Sequence, residues 1–539
     1  MHFAAYCILH TNEWSNYFMR IVTAAEMRSL EDAAFARGVE APALMRQAGA
    51  GVAEAVRRVA PHSAARVVVL LGGGNNGGDG AVAATALAND GFRVSVWSAT
   101  PRSDVSGPRH NITELENTDA LRAALAEADI VLDALVGTGS RAGLRPATAE
   151  VTRLVNTVPP RTARVIALDI PTGVDATTGE ASDDAIRADL TVTLGSPKRG
   201  CLVPPGSRYA GRIEVIDLGL GEPSEPGPRM TTDADVRTRI PRRLADAHKS
   251  DFGTLLVISG AVTYTGAPGF VAEAAMRGGV GLATMAIPRA IAGIVAAAVR
   301  EATLLPLSDD ITGAAKMLGE SMHRYTAAVV GPGMGRDSDT KQFLGRLLGI
   351  SETKARPAFG FGASSAGSVE QTAILPETLP LVIDADGLNY LSEIDEWWTR
   401  LTRPLILTPH AGEMARLTKL DVAAVKGDPW GTATEYARRW NQVVVLKGGP
   451  TVVAAPDGAF WAVPGGNPAL ATGGTGDVLA GLIGGFLAQG LAPIDAAVCG
   501  LHLGARAGWI AADRVGVYGM VAPDLFPAIA EAMRAIMGV

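Results

Sequence analysis

The sequence predicts an α/β protein of two three-layer domains, each a mostly parallel sheet between layers of helices. Three observations carry this. Short β-branched apolar runs alternate with longer stretches of helical apolar spacing. Most of these runs end in a polar or glycine-rich turn, as strand ends do in parallel sheets. The 539 residues are too many for one ordinary core, so two or more domains are expected.

Composition narrows the function classes. A formal net charge of -7 and a pI near 5.7, with no run of Lys and Arg, argue against a nucleic-acid-binding surface. Cys7, Cys201 and Cys499 lie far apart and form no CxxC pair, so a reducing compartment is expected, without a zinc site or a disulfide framework. Met1–Phe18 lacks the unbroken apolar centre of a signal peptide, and apolar stretches elsewhere are short and broken by Gly. The expectation is a cytoplasmic protein that neither spans nor enters a membrane. Residues 1–18 read as an N-terminal extension, with Met19 as an alternative start.

In chain order, Ala24–Arg37 and Pro42–Ala60 have helical spacing, with Ala43, Leu44, Ala48 and Val52 on one face. Arg66–Leu71 is a strand ending in the turn Gly72–Gly80, and Ala81–Ala88 continues as a helix. A strand, a glycine-rich turn and a helix N-terminus form the arrangement that holds a dinucleotide phosphate. The letters Gly72-x-Gly74-x-x-Gly77 satisfy the dinucleotide fingerprint. The next strand, Phe92–Trp97, however, ends in Ser98-Ala99-Thr100 instead of a ribose-holding acid, which disfavours an ordinary hydride-transferring domain. Asn75, Asn76 and Asp79 add polar groups that a plain phosphate turn does not need, pointing to a cation or a second part of the ligand.

Three more strands end in polar residues: Ile130–Leu132 in Asp133, Val165–Leu168 in Asp169, and Leu190–Leu194 in a turn that carries Lys198. Parallel strands share one crevice at these ends, so Asn76, Asp133, Asp169 and Lys198 are expected to converge. Singly, each Asp reads better as a helix cap and Lys198 as a solvated cation. Four polar ends in one sheet point to a site.

GNNGGDG, DALVGTG, DIPTGVD and GSPKRG, in this order, make residues 19–220 resemble the YjeF N-terminal family, the NAD(P)H-hydrate epimerases. The resemblance implies a Rossmann-like three-layer domain that interconverts the R and S epimers of hydrated NADH and NADPH and holds a potassium ion. By position it implies Asn76, Asp133 and Thr172 as potassium ligands. It also implies a substrate lining of Asn75, Asn76, Gly77, Gly78 and Asp79, of Gly137, Thr138, Gly139, Ser140, Arg141, Ala142 and Gly143, and of Asp169, with Asp133 and Lys198 in catalytic roles. Thr172 stands where Ser is more usual, and both offer a hydroxyl oxygen.

Leu220–Thr232 is rich in Gly, Pro, Glu and Ser without apolar periodicity and marks a linker, taken as residues 221–240. Beyond it, the strands Thr254–Ile258, Ala327–Val330, Leu381–Ile383, Leu405–Leu407 and Val443–Leu446 alternate with helices such as Gly269–Arg277. The stretch Ala471–Gly481 is the most telling. Its glycines let backbone N–H groups approach an anion, the apolar helix Val478–Ala488 adds a positive dipole end, and Asp477 stands beside the anion position. Asp477 has a plain alternative as an N-terminal cap, and His410 one as a capping or core histidine before the helix at Ala411. Ala358–Ser368, mostly Gly, Ala and Ser, carries no assignment.

HKSDFG, YTGA, GPGMG, DADGLN, TPHAGE, KGGPT and GGTGD make residues 241–539 similar to the ribokinase-like superfamily and, more closely, to its NAD(P)H-hydrate dehydratase branch. That resemblance implies a ribokinase-like three-layer domain driven by ADP, or sometimes ATP, with Mg²⁺. By position, Lys447, Gly448, Gly449, Pro450, Thr451 and Gly476 would hold the nucleotide. Ala267, Gly333, His410 and Asp477 would hold the hydrated nicotinamide, with Asp477 as the catalytic base. Neither glycine-rich turn is a Walker loop, since no GK[ST] follows. Together the resemblances imply a bifunctional metabolite-repair enzyme, isomerase and lyase, with small-molecule partners and a homo-oligomeric state. The alternatives are a vitamin-precursor kinase joined to a nucleotide-binding regulatory domain, or an N-terminal half that only binds a ligand.

Overall fold

A computed structural model describes residues 19–100, 102, 104–105, 111–160, 162–350 and 373–538. The readings made on Met1–Phe18, on Cys7 and on Ala358–Ser368 lie outside these residues. The chain forms two compact units, one from Thr231–Val382 and Thr472–Val539, the other from Arg20–Met230 and Ile383–Ala471.

The second unit begins with β1 (Met19–Arg20), α1 (Ala24–Ala36) and α2 (Ala41–Val59), followed by β2 (Arg66–Leu71) and α3 (Asn75–Asn89). Strands β3 (Arg93–Ser98), β4 (Ile112–Leu115), β5 (Ile130–Ala134), β6 (Arg164–Leu168), β7 (Leu190–Leu194) and β8 (Arg212–Ile216) complete a seven-stranded sheet in the order β4-β3-β2-β5-β6-β7-β8. All its pairings are parallel. Successive side chains of a strand point to opposite faces, and β2 is apolar on both. Val67, Val69 and Leu71 pack with Val52, Val56, Ala84 and Leu87 on one side. Val68 and Leu70 pack with Leu121, Leu125, Leu154 and Val155 on the other. The chain order reverses between β2 and β5, and ligands of such sheets bind at that crevice.

Two readings of this half are corrected. The segment Asn75–Gly80, expected as a turn, is the opening of α3, which starts at Asn75 instead of Ala81. Its glycines serve contact rather than bending. A Cβ on Gly77 would stand 2.0 Å from the Gly72 carbonyl oxygen, and one on Gly80 2.5 Å from the Ala134 Cβ. Glycine costs helix stability but lets this helix start press onto the ends of β2 and β5. Ala43, expected on the buried face of α2, is exposed, because the helix turns its inner face to the sheet only from Ala48 on.

In the stretch 221–240 the structure places β9 (Arg229–Met230) and a helix Asp233–Arg239 capped by Thr232. The remaining strands of the first unit are β10 (Thr254–Ile258), β11 (Leu282–Pro288), β12 (Thr303–Leu307), β13 (Ala327–Val330) and β14 (Leu381–Ile383), in the order β14-β13-β10-β11-β12. Those of the second unit are β15 (Leu405–Leu407), β16 (Val443–Leu446), β17 (Val452–Ala454) and β18 (Phe460–Ala462), in the order β1-β9-β18-β17-β16-β15. In the first unit the helix Thr475–Ala488 lies on the helix Ala267–Arg277 so closely that a Cβ on Gly481 would stand 2.3 Å from the Val271 carbonyl oxygen. No helix of the described residues is long and apolar enough to cross a membrane.

Candidate functional site

The strand ends of the seven-stranded sheet bring together the polar residues that the sequence singled out. Asp133, at the end of β5, is fully buried. Its Oδ2 accepts the Thr172 backbone N–H at 2.8 Å, and its Oδ1 accepts the Thr172 hydroxyl at 2.8 Å and the Leu135 N–H at 3.2 Å. Burial pushes its carboxyl up to about 6, against the pull of those donors. Asn76 donates its amide to the Leu168 carbonyl at 3.3 Å. A Cβ placed on Gly137 would lie 2.9 Å from Asn76 Oδ1 and 3.1 Å from Asp169 Oδ2, so both oxygens face the same point of the 137–143 loop. Within that loop Ser140 is buried and accepts the Gly173 N–H at 3.2 Å, whereas Gly139, Arg141 and Gly143 are exposed.

Asp169 stands just past β6 with a positive φ of 71°. An uncommon backbone state for a non-glycine residue at a strand end is where functional strain collects. Its Oδ1 accepts from the ammonium of Lys198, which is 1% exposed, and from the Leu194 N–H at 3.2 Å. Lys198 also donates to the Leu194 carbonyl at 2.6 Å. Asp79, one helical turn after Asn76, is pushed up to about 7, first by burial, then by the negative charges of Asp169 and Glu31, with Lys198 opposing. Sequence reasoning missed Glu31 and Thr193, because they reach this cluster from α1 and from inside β7 rather than from a strand end.

Potassium fits this donor set. Asn76, Asp133 and Thr172 offer only hard oxygens, which suits such a cation. Asp133 is wholly buried, and Leu135 and Thr172 meet its carboxylate with neutral N–H and O–H groups, so a monovalent cation would balance its charge.

The residues assigned to the second reaction fall in both units. In the first, Gly333 has a φ of +62°, and a Cβ there would stand 2.8 Å from the Tyr264 Cβ and 3.0 Å from the Ala267 Cβ, so the GPGMG and YTGA segments touch. The Pro332 carbonyl accepts the Ser259 hydroxyl and the Gly260 N–H, tying the ends of β10 and β13 together. The helix after the GGTGD turn starts at Thr475, three residues before the apolar run, and Gly474 is its N-cap with a φ of 88°. Asp477 is thus in the first turn, as the third residue of the helix, and Gly474 rather than Asp477 is the N-cap residue.

In the second unit His410 does cap a helix. Its Nδ1 accepts the Gly412 N–H at 2.9 Å and the Glu413 N–H at 3.3 Å, while Glu413 accepts the His410 N–H at 2.9 Å. Lys447, at the end of β16, donates to Asp384 Oδ1 at 2.7 Å. Gly448–Thr451 folds back through the Thr451 hydroxyl, which bonds the Gly448 N–H and carbonyl. Asp384, the polar end of β14 in the DADGLN motif, was given no role by the sequence although it obeys the same strand-end rule as Asp133. Asp384 and Glu413 are engaged by Lys447 and by the His410 backbone, so this group does not form a protein cage for Mg²⁺. That ion keeps few protein ligands and binds readily to nucleotide phosphates.

Polar residues gathered at the carboxyl ends of parallel strands define an α/β enzyme with two sets of chemistry-bearing groups. A family model described as NAD(P)H-hydrate dehydratase matches residues 255–531, and one described as YjeF-related protein N-terminus matches residues 41–200. The bifunctional NAD(P)H-hydrate repair enzyme Nnr of Moorella thermoacetica is 35% identical to this chain, over 96% of this chain and 97% of its own length. The protein of the same name from Salinibacter ruber is 38% identical over 84% of each. Among solved structures, the ADP/ATP-dependent NAD(P)H-hydrate dehydratase of Bacillus subtilis is similar to 57% of this chain and 97% of its own, with 28% identity and a TM-score of 0.46.

The chain belongs to the family of bifunctional NAD(P)H-hydrate repair enzymes. Its YjeF-related N-terminal part is the epimerase domain, and its C-terminal part is the NAD(P)H-hydrate dehydratase.

Proposed function

We propose that this chain epimerises hydrated NADH and NADPH at the ends of the seven-stranded sheet and dehydrates the S epimer through Asp477, with ADP as the driving nucleotide. The observation that carries the reading is the clustering of Asn76, Asp133, Asp169 and Lys198 at one switch point, in a chain matched by both family models. In this reading the epimerase domain spans residues 19–220 and the dehydratase domain 241–539, joined by residues 221–240. The enzyme is cytoplasmic and homo-oligomeric.

In the epimerase, Asn76, Asp133 and Thr172 would hold potassium, which supplies charge balance when bound. Asn75–Asp79, Gly137–Gly143 and Asp169 line the hydrated ring, and the Lys198–Asp169 pair orients it and exchanges protons with it. In the dehydratase, Ala267, Gly333 and His410 position the hydrated ring, while Lys447–Thr451 and Gly476 hold the nucleotide, and Mg²⁺ would supply positive charge to it when bound.

The ring hydroxyl attacks the terminal phosphorus of ADP and gives its proton to Asp477, and the bond from that phosphorus to the bridging oxygen breaks to release AMP. The Gly473–Gly476 N–H groups stabilise the transferring phosphoryl group. Loss of a ring proton then expels phosphate and restores NADH or NADPH. The test is to incubate the purified protein with hydrated NADPH and follow the absorbance of intact NADPH. Recovery should require ADP or ATP. A protein that leaves the hydrate untouched and consumes ATP with an alcohol substrate is a small-molecule kinase instead.

A further inference from the structure

We propose that Arg102 selects hydrated NADPH over hydrated NADH by holding the 2′-phosphate of the adenosine ribose in the epimerase site. This rests on the epimerase reading and extends it to the far end of the substrate.

The topology decides which end of the dinucleotide lies where. Asp133, Asp169 and Lys198 stand at or just past the ends of β5, β6 and β7, on one side of the switch point between β2 and β5. The reacting ring belongs beside them, which leaves the adenosine to the side of β3. A fold of this kind carries an acid there when it hydrogen-bonds an unmodified ribose, and an Arg when it accepts a 2′-phosphate. Here β3 ends at Ser98, no acid follows directly, and the first charged residue is Arg102.

Arg102 reaches back over the start of α3. Its Nη1 donates to the Gly72 carbonyl at 2.6 Å and lies 3.5 Å from the Gly74 carbonyl. A Cβ on Gly77 would stand 2.8 Å from that Nη1, so the guanidinium rests against the start of α3. The cation is thereby placed on the adenosine side of the substrate crevice, with its side chain 15% exposed. A guanidinium has five N–H donors. Nε and Nη2 face the Asp104 carboxylate and the two Nη1 hydrogens serve the Gly72 and Gly74 carbonyls, which leaves one Nη2 hydrogen until Asp104 gives way. Asp104 is 45% exposed, so its carboxylate can turn to water when a phosphate takes its place on the fork. Arg–phosphate pairs are among the stronger charge-assisted contacts.

The experiment measures epimerisation of hydrated NADPH and of hydrated NADH separately, without nucleotide, by resolving the two epimers over time. It uses the full chain and its Arg102→Ala, Arg102→Lys and Arg102→Gln variants, with dehydration of the S epimer as the check on folding. The unaltered chain should prefer hydrated NADPH. Arg102→Ala should lower kcat/KM on it by about 10- to 100-fold, through KM, and change hydrated NADH by less than about 3-fold, with Arg102→Lys recovering part of the loss. Should the alanine variant fail to fold, Arg102→Gln keeps side-chain length without the charge and must give the same selective loss. Equal losses on both substrates would mean that Arg102 holds the pyrophosphate or the loop, and would overturn the proposal, as would no loss on either. If the unaltered chain epimerises neither hydrate, the epimerase reading falls and this proposal with it.

Discussion

The two sets of site residues stand differently with respect to water. At the seven-stranded sheet, Asp133, Asp169 and Lys198 are at most 4% exposed, and their charges are met by fixed donors or by each other. Among the dehydratase residues, the His410 side chain is 54% exposed and Asp477 is partly exposed at the opening of its helix. Charges held dry must keep their partners, because an uncompensated buried ion is strongly unfavourable, whereas a group at the water boundary can lose its charge without that penalty. Losses at the first site should therefore cost stability along with activity, and losses at Asp477 activity alone.

The largest expected effect is at Asp133. Asp133→Ala should reduce epimerisation to the spontaneous rate while the S hydrate is still dehydrated, as resolved by separating the epimers. Normal epimerisation in that variant would remove Asp133 from the site. Asp477→Asn should slow dehydration by about 10²–10⁴-fold, the scale of a lost general base, with epimerisation and melting temperature unchanged. A variant that dehydrates normally and melts far lower would make Asp477 structural and erase the contrast between the sites.

Lys198→Met leaves the buried Asp169 carboxyl without its cationic partner, so urea unfolding of the epimerase part should lose about 3–5 kcal/mol. An unchanged midpoint would show that the pair is not dry in solution. A half-buried acid away from both sites serves as control. Burial alone would raise the Asp233 carboxyl, but hydrogen bonds from His502 and Arg506 outweigh it and hold the group below the usual carboxylate range. A depressed carboxyl stabilises the fold above its unfolded-state value and loses that stability as pH falls. The protein should therefore lose about 1.5–3 kcal/mol as pH drops below about 4, and Asp233→Asn should flatten that part of the profile without affecting either activity. The smallest effect is His410→Ala, about 0.5–2 kcal/mol for a lost cap, read by thermal melting. His410→Asn, which can still accept at the cap position, should recover most of it.

Strands buried on both faces were legible to the residue: β2, β7, β10, β13, β14, β15 and β16 have the bounds that their apolar runs predict. Arg212–Ile216 and Ile112–Leu115 escaped because charged residues interrupt them, and Leu282–Pro288 because its Ala and Met suit a helix as well as a strand. Arg229–Met230 is too short for any period, and only its register against Trp461 and Ala462 makes it a strand. The opening of α3 was misread for a physical reason. Local propensity sets glycine against helix, while the approach of α3 to Gly72 and Ala134 demands it. In the candidate site, strand-end residues such as Asp133 and Asp169 could be read because parallel topology collects them. The partnership of Lys447 with Asp384 could not, since it joins strands far apart in sequence.

The most direct measurement follows an equal mixture of R and S hydrated NADPH with ADP and the full chain. Two cooperating activities require NADPH to recover completely, with the R epimer consumed well above its spontaneous rate of epimerisation. Recovery that stops once the S epimer is spent, or that continues only at the spontaneous rate, would contradict an active epimerase joined to the dehydratase.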